Sequence, residues 1–262
     1  MQNIKENPAE QAAITVYRGW LDRGKYVWSP FVTKLEARLR FAGVSYIAEC
    51  GSTTKSPKGK VPYVDLQDST SEHLTISDSS LIIKQMIEAN ILPDINAHIS
   101  PETRAHDLAV RALLEDKLIF YHGWERWICN FYTMRDHILS SMPYPLRVLV
   151  GLLIHRKLTT MLHGQGTGRY TAEEITAFRL EIWENINNLL VSSKSTSWDN
   201  QPFWILKGQH PTEADATVYG FIISVLLCTA GPDSQAVVKG FPTILEYASR
   251  IHDEYFPDYE KW

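Results

Sequence analysis

Cysteine, surplus positive charge and long apolar runs are all scarce in this sequence of 262 residues. Its three cysteines, Cys50, Cys129 and Cys228, are too few and too widely spaced for a disulfide framework, and they fit a reducing compartment. The formal net charge of −4 argues against a general nucleic-acid-binding surface, which needs a basic stripe. The most apolar runs, residues 148–154 and 221–228, are far shorter than the ~20 residues that span a bilayer. We therefore expect neither a nucleic-acid partner nor a membrane span.

Signals for secretion, for metal binding and for nucleotide binding are also missing. Residues 1–11 are polar and contain no apolar segment of the secretory type, so we expect a cytoplasmic protein. The nine histidines form no H-E-x-x-H pair and no Cys/His spacing, which predicts that there is no metal site. Residues 164–169 are rich in glycine, but a phosphate loop needs a preceding strand and a lysine, and both are lacking. A connector between helices is the better interpretation.

Strand-like and helical patterns alternate in the first part of the chain and only helical patterns occur after it. The predicted strands are at residues 14–20, 44–48, 61–66 and 73–76, with one helix opening at Pro30 and another over 77–89. The later predicted helices cover residues 101–132 with a kink near Gly123, 143–163, 171–191, a stretch opening at Thr212, and 241–255. The predicted fold is an α/β thioredoxin-like domain at residues 1–95 followed by an all-α domain at residues 96–262.

Two capping signals open helices in this second part. Thr171 and Glu174 have the spacing of a capping box, and Thr212 with Asp215 precedes an apolar run. We assign both pairs to helix capping, which aids folding, and not to chemistry.

The motif Ser29-Pro30-Phe31-Val32 lies at the predicted turn from the first strand into the first helix. Thioredoxin-like folds place a reactive CxxC motif at this turn, because a helix N-terminus stabilises a thiolate. With Ser29 and Val32 in place of two sulfurs, disulfide exchange is not expected. The Ser29 hydroxyl can donate a hydrogen bond to the thiolate of a cosubstrate, or it can simply cap the helix. The sequence leaves both interpretations open.

Two further motifs are suited to holding an extended peptide. A cis Val61–Pro62 bond would turn the backbone of Val61 outward to pair with a peptide ligand, whereas a trans proline would merely begin the strand. Asp78 and Ser79 open a helix, where free N–H groups and a hydroxyl bind a carboxylate and Asp78 can accept from an ammonium. Simple capping is the alternative for this pair.

Aromatic residues recur at helical spacing in the long stretch that follows. They share one broad helical face, and they are Phe120, Tyr121, Trp124, Trp127, Phe131 and Tyr132. Most of this face is predicted to be core. Tyr121, Trp124 and Trp127 are our candidates for lining a cleft that accepts an apolar cosubstrate.

The three N-terminal motifs, taken in order, resemble those of glutathione S-transferase-like proteins, in the branch related to metaxin and to the failed-axon-connections protein. Two later segments carry the same resemblance: residues 166–170 with Glu173 and Glu174, and residues 211–216. The resemblance covers nearly the whole chain. It implies a thioredoxin-like N-terminal domain, an all-helical C-terminal domain and a homodimer.

The resemblance also implies roles for individual residues around bound glutathione. Val61, beside a cis Pro62, would bind the glutathione backbone, and Asp78 with Ser79 would hold its γ-glutamyl end. Ser29 stands where related enzymes place a catalytic serine or cysteine. The remaining assignments are Tyr26 as an alternative catalytic residue, Trp28, Phe31 and Lys60 in glutathione binding, and Lys55, Lys58 or Lys60 for the glycyl carboxylate. Val32 departs from the branch, which often has cysteine there, and this argues against thiol-based reductase activity.

The expected function is a glutathione-dependent reaction of an electrophilic, largely apolar small molecule. A bound thiolate would add to a conjugated alkene, and the adduct would either remain as a conjugate or eliminate the thiol after bond rotation, giving cis–trans isomerisation. The chain is similar in overall pattern to glutathione transferase-like enzymes of fungal pseurotin-type pathways, which implies a secondary metabolite as substrate. The alternative is a non-catalytic adaptor that keeps the fold for protein contacts.

Overall fold

A computed structural model describes residues 13–20, 22–67, 73–197 and 201–262, and its first part is a small mixed sheet with two helices. The elements are β1 (Ala13–Tyr17), α1 (Pro30–Phe41), β2 (Ile47–Glu49), β3 (Tyr63–Gln67), β4 (His73–Ser77) and α2 (Ser79–Glu88). The strand order is β2-β1-β3-β4. β1 and β2 are parallel and the other neighbours are antiparallel. The predicted thioredoxin-like arrangement is confirmed.

The sheet forms because its strands alternate apolar and polar side chains, so that one face can be buried. Ile14 and Val16 of β1 and Val64 of β3 are buried on the same face, and Leu35 and Leu39 of α1 pack against them. The i, i+4 spacing puts these two leucines on one face of α1, and this apolar face lays the helix on the sheet.

Helices make up the rest of the described chain, in which no further strand follows Ser77. They are α3 (Pro101–Leu113), α4 (Ile119–Trp124), α5 (Phe131–Ile138), α6 (Tyr144–Gln165), α7 (Ala172–Thr196), α8 (Glu213–Leu227), α9 (Pro232–Lys239) and α10 (Pro242–Tyr255). The predicted all-helical second part is confirmed, although α9 was not predicted. This helix has only eight residues and opens at Pro232 directly after Gly231.

The long helix predicted over residues 101–132 is interrupted in a different way from the one expected. Two π-helical turns, Leu114–Leu118 and Glu125–Cys129, separate α3, α4 and α5, and the helical path breaks at Asn130. Gly123, where the kink was predicted, lies inside α4. A π turn inserts an extra residue into a helical turn without any glycine or proline signal, so the local sequence does not announce it.

Helix α8 is buried along its whole length and packs directly on α1. The contact is close because Gly220 faces the first turn of α1. A Cβ atom at Gly220 would run into the carbonyl oxygen of Pro30 and would lie 2.9 Å from the backbone nitrogen of Lys34. The backbones of the two helices can therefore approach only with glycine at this position.

Both predicted helix caps are present, and they differ greatly in burial. Thr171 and Glu174 form an exposed capping box at the start of α7. At the start of α8 the fully buried Asp215 accepts hydrogen bonds of 2.8 Å from the backbone nitrogen and the hydroxyl of Thr212. Its other oxygen accepts from the backbone nitrogen of Ile205 and the hydroxyl of Tyr247, each at 2.8 Å.

Helix α6 lies on the surface, and only Gly151 and Leu162 along its 22 residues are buried. Its apolar side chains instead face solvent: Leu146, Leu149, Leu152 and Leu153 are between 48% and 69% exposed. A cluster of exposed leucines of this kind is unusual for a surface helix that has no partner.

Helix length and apolar character bear on whether a segment can cross a membrane. In the described ranges no single helix is both long and apolar enough to cross one. α8 and α9 meet that test only as a pair, with a bend of 118° between them.

We predict that Asp215→Ala lowers the free energy of unfolding by about 3 kcal/mol or more, because it leaves several buried donors without an acceptor. The matched change Glu174→Ala removes the equivalent carboxylate, at N3 of the exposed capping box, and should lower the free energy of unfolding by only about 0.5–1 kcal/mol. Urea denaturation followed by circular dichroism measures both values. Equal losses would contradict a special role for the buried cap.

Candidate functional site

Strand register brings the three N-terminal motifs to one end of the sheet. Tyr17, the last residue of β1, pairs with Tyr63, the first residue of β3, and Tyr63 pairs with Ser77, the last residue of β4. Val61 and Pro62 directly precede that row, and Asp78 directly follows it. The chain also leaves β1 at this end before it enters α1. The motifs that lie apart in the sequence are therefore neighbours in the fold.

A buried lysine ties the start of α1 to the start of α2. Lys34 Nζ donates to Ser80 Oγ at 2.8 Å and forms an ion pair with Glu115 at 2.6 Å. Because Ser80 lies in the first turn of α2, this contact holds the two helix N-termini side by side. Two positive dipole ends and their free N–H groups are thus directed to the same end of the sheet.

Ser29 is the N-cap residue of α1, with extended backbone angles (φ −78°, ψ 117°), but its side chain makes no capping hydrogen bond. The residue is partly exposed. Of the two interpretations that the sequence left open, simple capping is therefore not the one that the structure adopts. The hydroxyl has no partner among the described residues and remains able to donate to a ligand.

The Val61–Pro62 peptide bond is cis, the first of the two alternatives for this motif. Pro62 is buried and Val61 is partly exposed. Val61 lies outside β3, and its backbone N–H and C=O find no partner in the part of the chain that the structure describes. Both groups are consequently open to an extended ligand.

Asp78 does cap its helix, but with one oxygen only. Its Oδ1 accepts from the backbone nitrogens of Ser80 at 3.2 Å and Leu81 at 3.4 Å, while Oδ2 has no partner among the described residues. Asp78 also has a φ of +83°, a conformation that non-glycine residues rarely adopt and that often occurs at ligand-binding positions. The buried Ser79 follows it directly.

Tyr26 does not reach this end of the sheet, which removes it as an alternative catalytic residue. The residue is 7% exposed, and its hydroxyl lies 2.6 Å from the hydroxyl of Tyr219 and 2.8 Å from Nδ1 of His252. Burial raises the pKa of Tyr26 well above its usual value. Both hydrogen bonds point into the helical core, so the hydroxyl cannot serve a bound thiol.

Trp28 and Phe31 flank Ser29 but face different surroundings. The Trp28 ring stacks on the exposed His137 of α5, with the ring centroids 3.5 Å apart and the planes 6° apart. Phe31 packs edge-on against Phe221 in the helical core, at 6.0 Å. Trp28 thus can form a wall beside Ser29, whereas Phe31 is a packing residue. No sequence signal singled out His137. Although the residue is exposed overall, partial removal of its imidazole from water lowers its pKa.

The three lysines considered for the glycyl carboxylate are all exposed on the loop between β2 and β3. The backbone nitrogen of Lys58 donates to Ser77 Oγ at 3.1 Å, next to Asp78, and that of Lys60 donates to Ser56 Oγ at 3.3 Å. Lys55 instead lines a separate hollow of about 320 Å³ beside the stacked rings of Tyr17 and Tyr63.

Of the three aromatic residues predicted to line a cleft, only Trp127 lines a cavity. Tyr121 is buried and stacks on Phe178 with 5.8 Å between the ring centroids. Trp124 packs against the main helical core. Neither residue therefore takes the predicted place in a cleft, because both side chains pack into the helical core. Trp127 lines a cavity of about 220 Å³.

Comparison with known sequences agrees with the predicted resemblance. Residues 30–134 match the glutathione S-transferase N-terminal domain family. The chain is 24% identical to Failed axon connections of Drosophila melanogaster over 255 residues, covering 89% of this chain and 56% of that protein. It is 22% identical to metaxin-2 of Mus musculus over 223 residues, covering 83% and 78%. The chain thus spans little more than half the length of the first of these relatives.

Comparison with solved structures identifies the fold. A glutathione transferase family member from Pseudomonas fluorescens with two glutathione molecules bound has a TM-score of 0.57 at 12% identity, covering 96% of this chain and 94% of that one. A glutathione transferase from Phanerochaete chrysosporium has a TM-score of 0.58 at 17% identity, covering 95% and 98%. The chain has the glutathione transferase fold, and the resemblance to the metaxin and failed-axon-connections branch is confirmed.

We predict that Ser29→Ala changes the free energy of unfolding by less than about 0.5 kcal/mol, because no capping hydrogen bond is lost. Asp78→Ala, which removes a real cap, should cost about 1 kcal/mol. Urea denaturation of the two variants beside the unmodified protein provides the comparison. A loss at Ser29 as large as that at Asp78 would mean that Ser29 is a cap after all.

Proposed function

We propose that this protein binds glutathione at the end of the sheet where α1 and α2 begin, and that it uses the bound thiolate on an apolar electrophile. The observation that supports this best is that three groups at this end of the sheet have no hydrogen-bond partner among the described residues. These are the Ser29 hydroxyl, the backbone of Val61 and the Oδ2 atom of Asp78. An extended peptide with a thiol in the middle and an amino-acid group at one end matches them.

Each part of glutathione would have a distinct partner. The N–H and C=O of Val61 would pair with the cysteinyl unit, as a neighbouring strand does. The α-ammonium of the γ-glutamyl end would face Asp78, while its carboxylate would accept from the N-terminus of α2 and the hydroxyl of Ser79. Trp28 would form the wall beside the thiol. The glycyl carboxylate, at the other end of the peptide, would face one of the three exposed lysines of the loop between β2 and β3, Lys55, Lys58 or Lys60.

The chemistry follows from the stabilised thiolate. A thiol with a pKa of about 8.5 is only a few per cent ionised at neutral pH, and lowering that pKa by two requires about 2.7 kcal/mol. A hydroxyl donor and a helix N-terminus together can supply this amount. The sulfur lone pair then forms a C–S bond to a conjugated alkene, and the displaced electron pair takes a proton. Retention of the adduct is conjugation, and loss of that proton and of the thiolate after bond rotation is isomerisation.

The electrophile remains a proposal drawn from the sequence resemblance. A conjugated alkene in a small, largely apolar molecule meets the chemical requirement of both outcomes. A fungal secondary metabolite of the pseurotin type belongs to this class, and a cytoplasmic enzyme would meet it together with glutathione.

We expect isothermal titration calorimetry to detect glutathione binding at millimolar or lower ligand concentration. Asp78→Asn should weaken that binding about tenfold, because the amide oxygen still caps α2 but the negative charge facing the ammonium is lost. Lys84→Gln, an exposed charge change on the same helix, serves as the matched control. An absence of heat at millimolar ligand would refute the proposal.

We further expect Ser29→Ala to bind glutathione about as well as the unmodified protein while raising the pKa of the bound thiol by about 1 or more. The ultraviolet absorbance of the thiolate, followed against pH with glutathione bound, measures this change. An unchanged thiolate titration would assign the stabilisation to the helix N-terminus alone.

A protein-contact role for α6 is our second proposal, compatible either with the enzyme or with the adaptor alternative, and the exposed leucines of this helix support it. Leu146, Leu149 and Leu153 recur at the i, i+3, i+7 spacing of a seam between paired helices. Such a seam is self-complementary when two copies meet antiparallel about a twofold axis. We therefore take a second copy of the chain as its occupant, in line with the homodimer that the sequence resemblance implies.

Sedimentation velocity tests this interface. We expect a dimer for the unmodified protein and a monomer for the double variant Leu149→Ser/Leu153→Ser, since each serine removes apolar area from the seam. The control Leu180→Ser/Leu189→Ser changes two exposed leucines of α7 and should remain dimeric. A monomeric unmodified protein, or a double variant that stays dimeric, would rule out the α6 seam.

A further inference from the structure

A cavity of about 220 Å³ lies between α6 and the segment that runs from α4 through the second π turn to α5. Its walls are apolar and include Phe120, Trp127, Met134, Leu158 and Met161, and Arg126 is the charged residue among them. Because this volume is smaller than the about 300–1,000 Å³ of sites for drug-sized ligands, only a compact ligand fits.

Arg126 differs from the other buried cations of the described chain in having no counter-ion. Each of the other buried arginine and lysine side chains lies within 4.0 Å of a carboxylate: Arg18 with Glu36, Lys34 with Glu115, Arg38 with Glu213, Arg135 with Asp136 and Arg179 with Glu125. Arg126 is 6% exposed, and no carboxylate of the described residues is that close to it. A buried charge without a partner is costly, which makes this position exceptional.

The hydrogen bonds of Arg126 leave most of its guanidinium unused. Nη2 donates to the carbonyl oxygen of Ser224 at 3.3 Å and to its Oγ at 3.1 Å. Nε and Nη1 have no acceptor among the residues that the structure describes. A guanidinium presents donors in a planar fork that matches a carboxylate, so this side chain is equipped to bind one.

The adjacent Glu125 does not neutralise Arg126, because both of its carboxylate oxygens already bind other groups. One oxygen lies 2.7 Å from Arg179, and the other accepts from the backbone nitrogens of Asp233 and Ser234 at 2.9 and 3.0 Å. The pKa of the neighbouring His122 is lowered, first by burial of its imidazole and then by the positive charges of Arg126 and Arg179.

We propose that this cavity binds a small planar carboxylate with an apolar body, an aryl or alkenyl carboxylate, whose head group pairs with Arg126. The body would lie between the ring of Trp127 and the α6 side chains Leu158 and Met161. The walls come from residues 119–162 and include none of Ser29, Val61 or Asp78. Trp127 and Met134 pack in the same cluster as Trp28, so the cavity is a neighbour of the proposed glutathione site, but binding at Arg126 does not require glutathione.

The test compares two probes of the same shape that differ in charge, trans-cinnamate and the neutral trans-cinnamamide, titrated by calorimetry without glutathione. We expect the unmodified protein to bind cinnamate about tenfold or more tightly than cinnamamide. Arg126→Met keeps an unbranched stem but removes the guanidinium, and it should reduce that preference to within about twofold. Arg156→Met removes an exposed cation from α6 and should leave the preference intact.

A second variant locates the binding in this cavity. Gly123 lines the cavity, and a Cβ atom there would have no other heavy atom within 4 Å. Gly123→Leu should fill the space while favouring the helix, so thermal unfolding should show a folded protein. We expect it to lose binding of both probes. Equal affinity for the two probes, a preference that survives Arg126→Met, or binding that survives Gly123→Leu would overturn the proposal.

Discussion

The packing of α8 against α1 is the contact on which the rest of this structure depends. α8 is buried from end to end, and its backbone approaches the first turn of α1 because residue 220 is glycine. A polar contact fixes the position of the pair, since Arg38 of α1 lies 2.5 Å from Glu213 at the head of α8. Any displacement of α8 would therefore move the helix whose N-terminus carries Ser29.

The register of three strands imposes the second constraint, which places the candidate site. Tyr17, Tyr63 and Ser77 stand in one row across the sheet, so the segments that follow or precede them must end side by side. A ligand that spans this row meets two helix N-termini and the backbone of Val61, just before β3. These are backbone features, which depend on the fold more than on particular side chains. The fold itself is shared with transferases to which the chain is only 12–17% identical.

Local sequence signals predicted the parts of this structure that depend on neighbours in the chain. The order of strands and helices, the capping boxes and the cis form of Val61–Pro62, which the sequence allowed as one of two alternatives, belong to this group. The wrong predictions concern residues whose surroundings are set by residues far away in the sequence. Tyr26 is close to Ser29 in the sequence and is the predicted alternative catalytic residue, yet Tyr219 and His252 hold it in the core. Arg126 gave no signal at all, because the absence of a counter-ion is visible only in three dimensions.

Ser224 of α8 connects the candidate glutathione site with the cavity of Arg126. Its hydroxyl donates to the carbonyl oxygen of Trp28, the residue before Ser29, and accepts from the guanidinium of Arg126. One side chain on the most buried helix thus orients both the backbone that leads into the candidate glutathione site and the only described buried cation that lacks a carboxylate. Because a hydroxyl that donates to one group becomes a better acceptor for another, the two contacts strengthen each other. The guanidinium of Arg126 and the backbone before Ser29 are therefore both fixed by α8, and the two hydrogen bonds of Ser224 offset part of the cost of burying that charge.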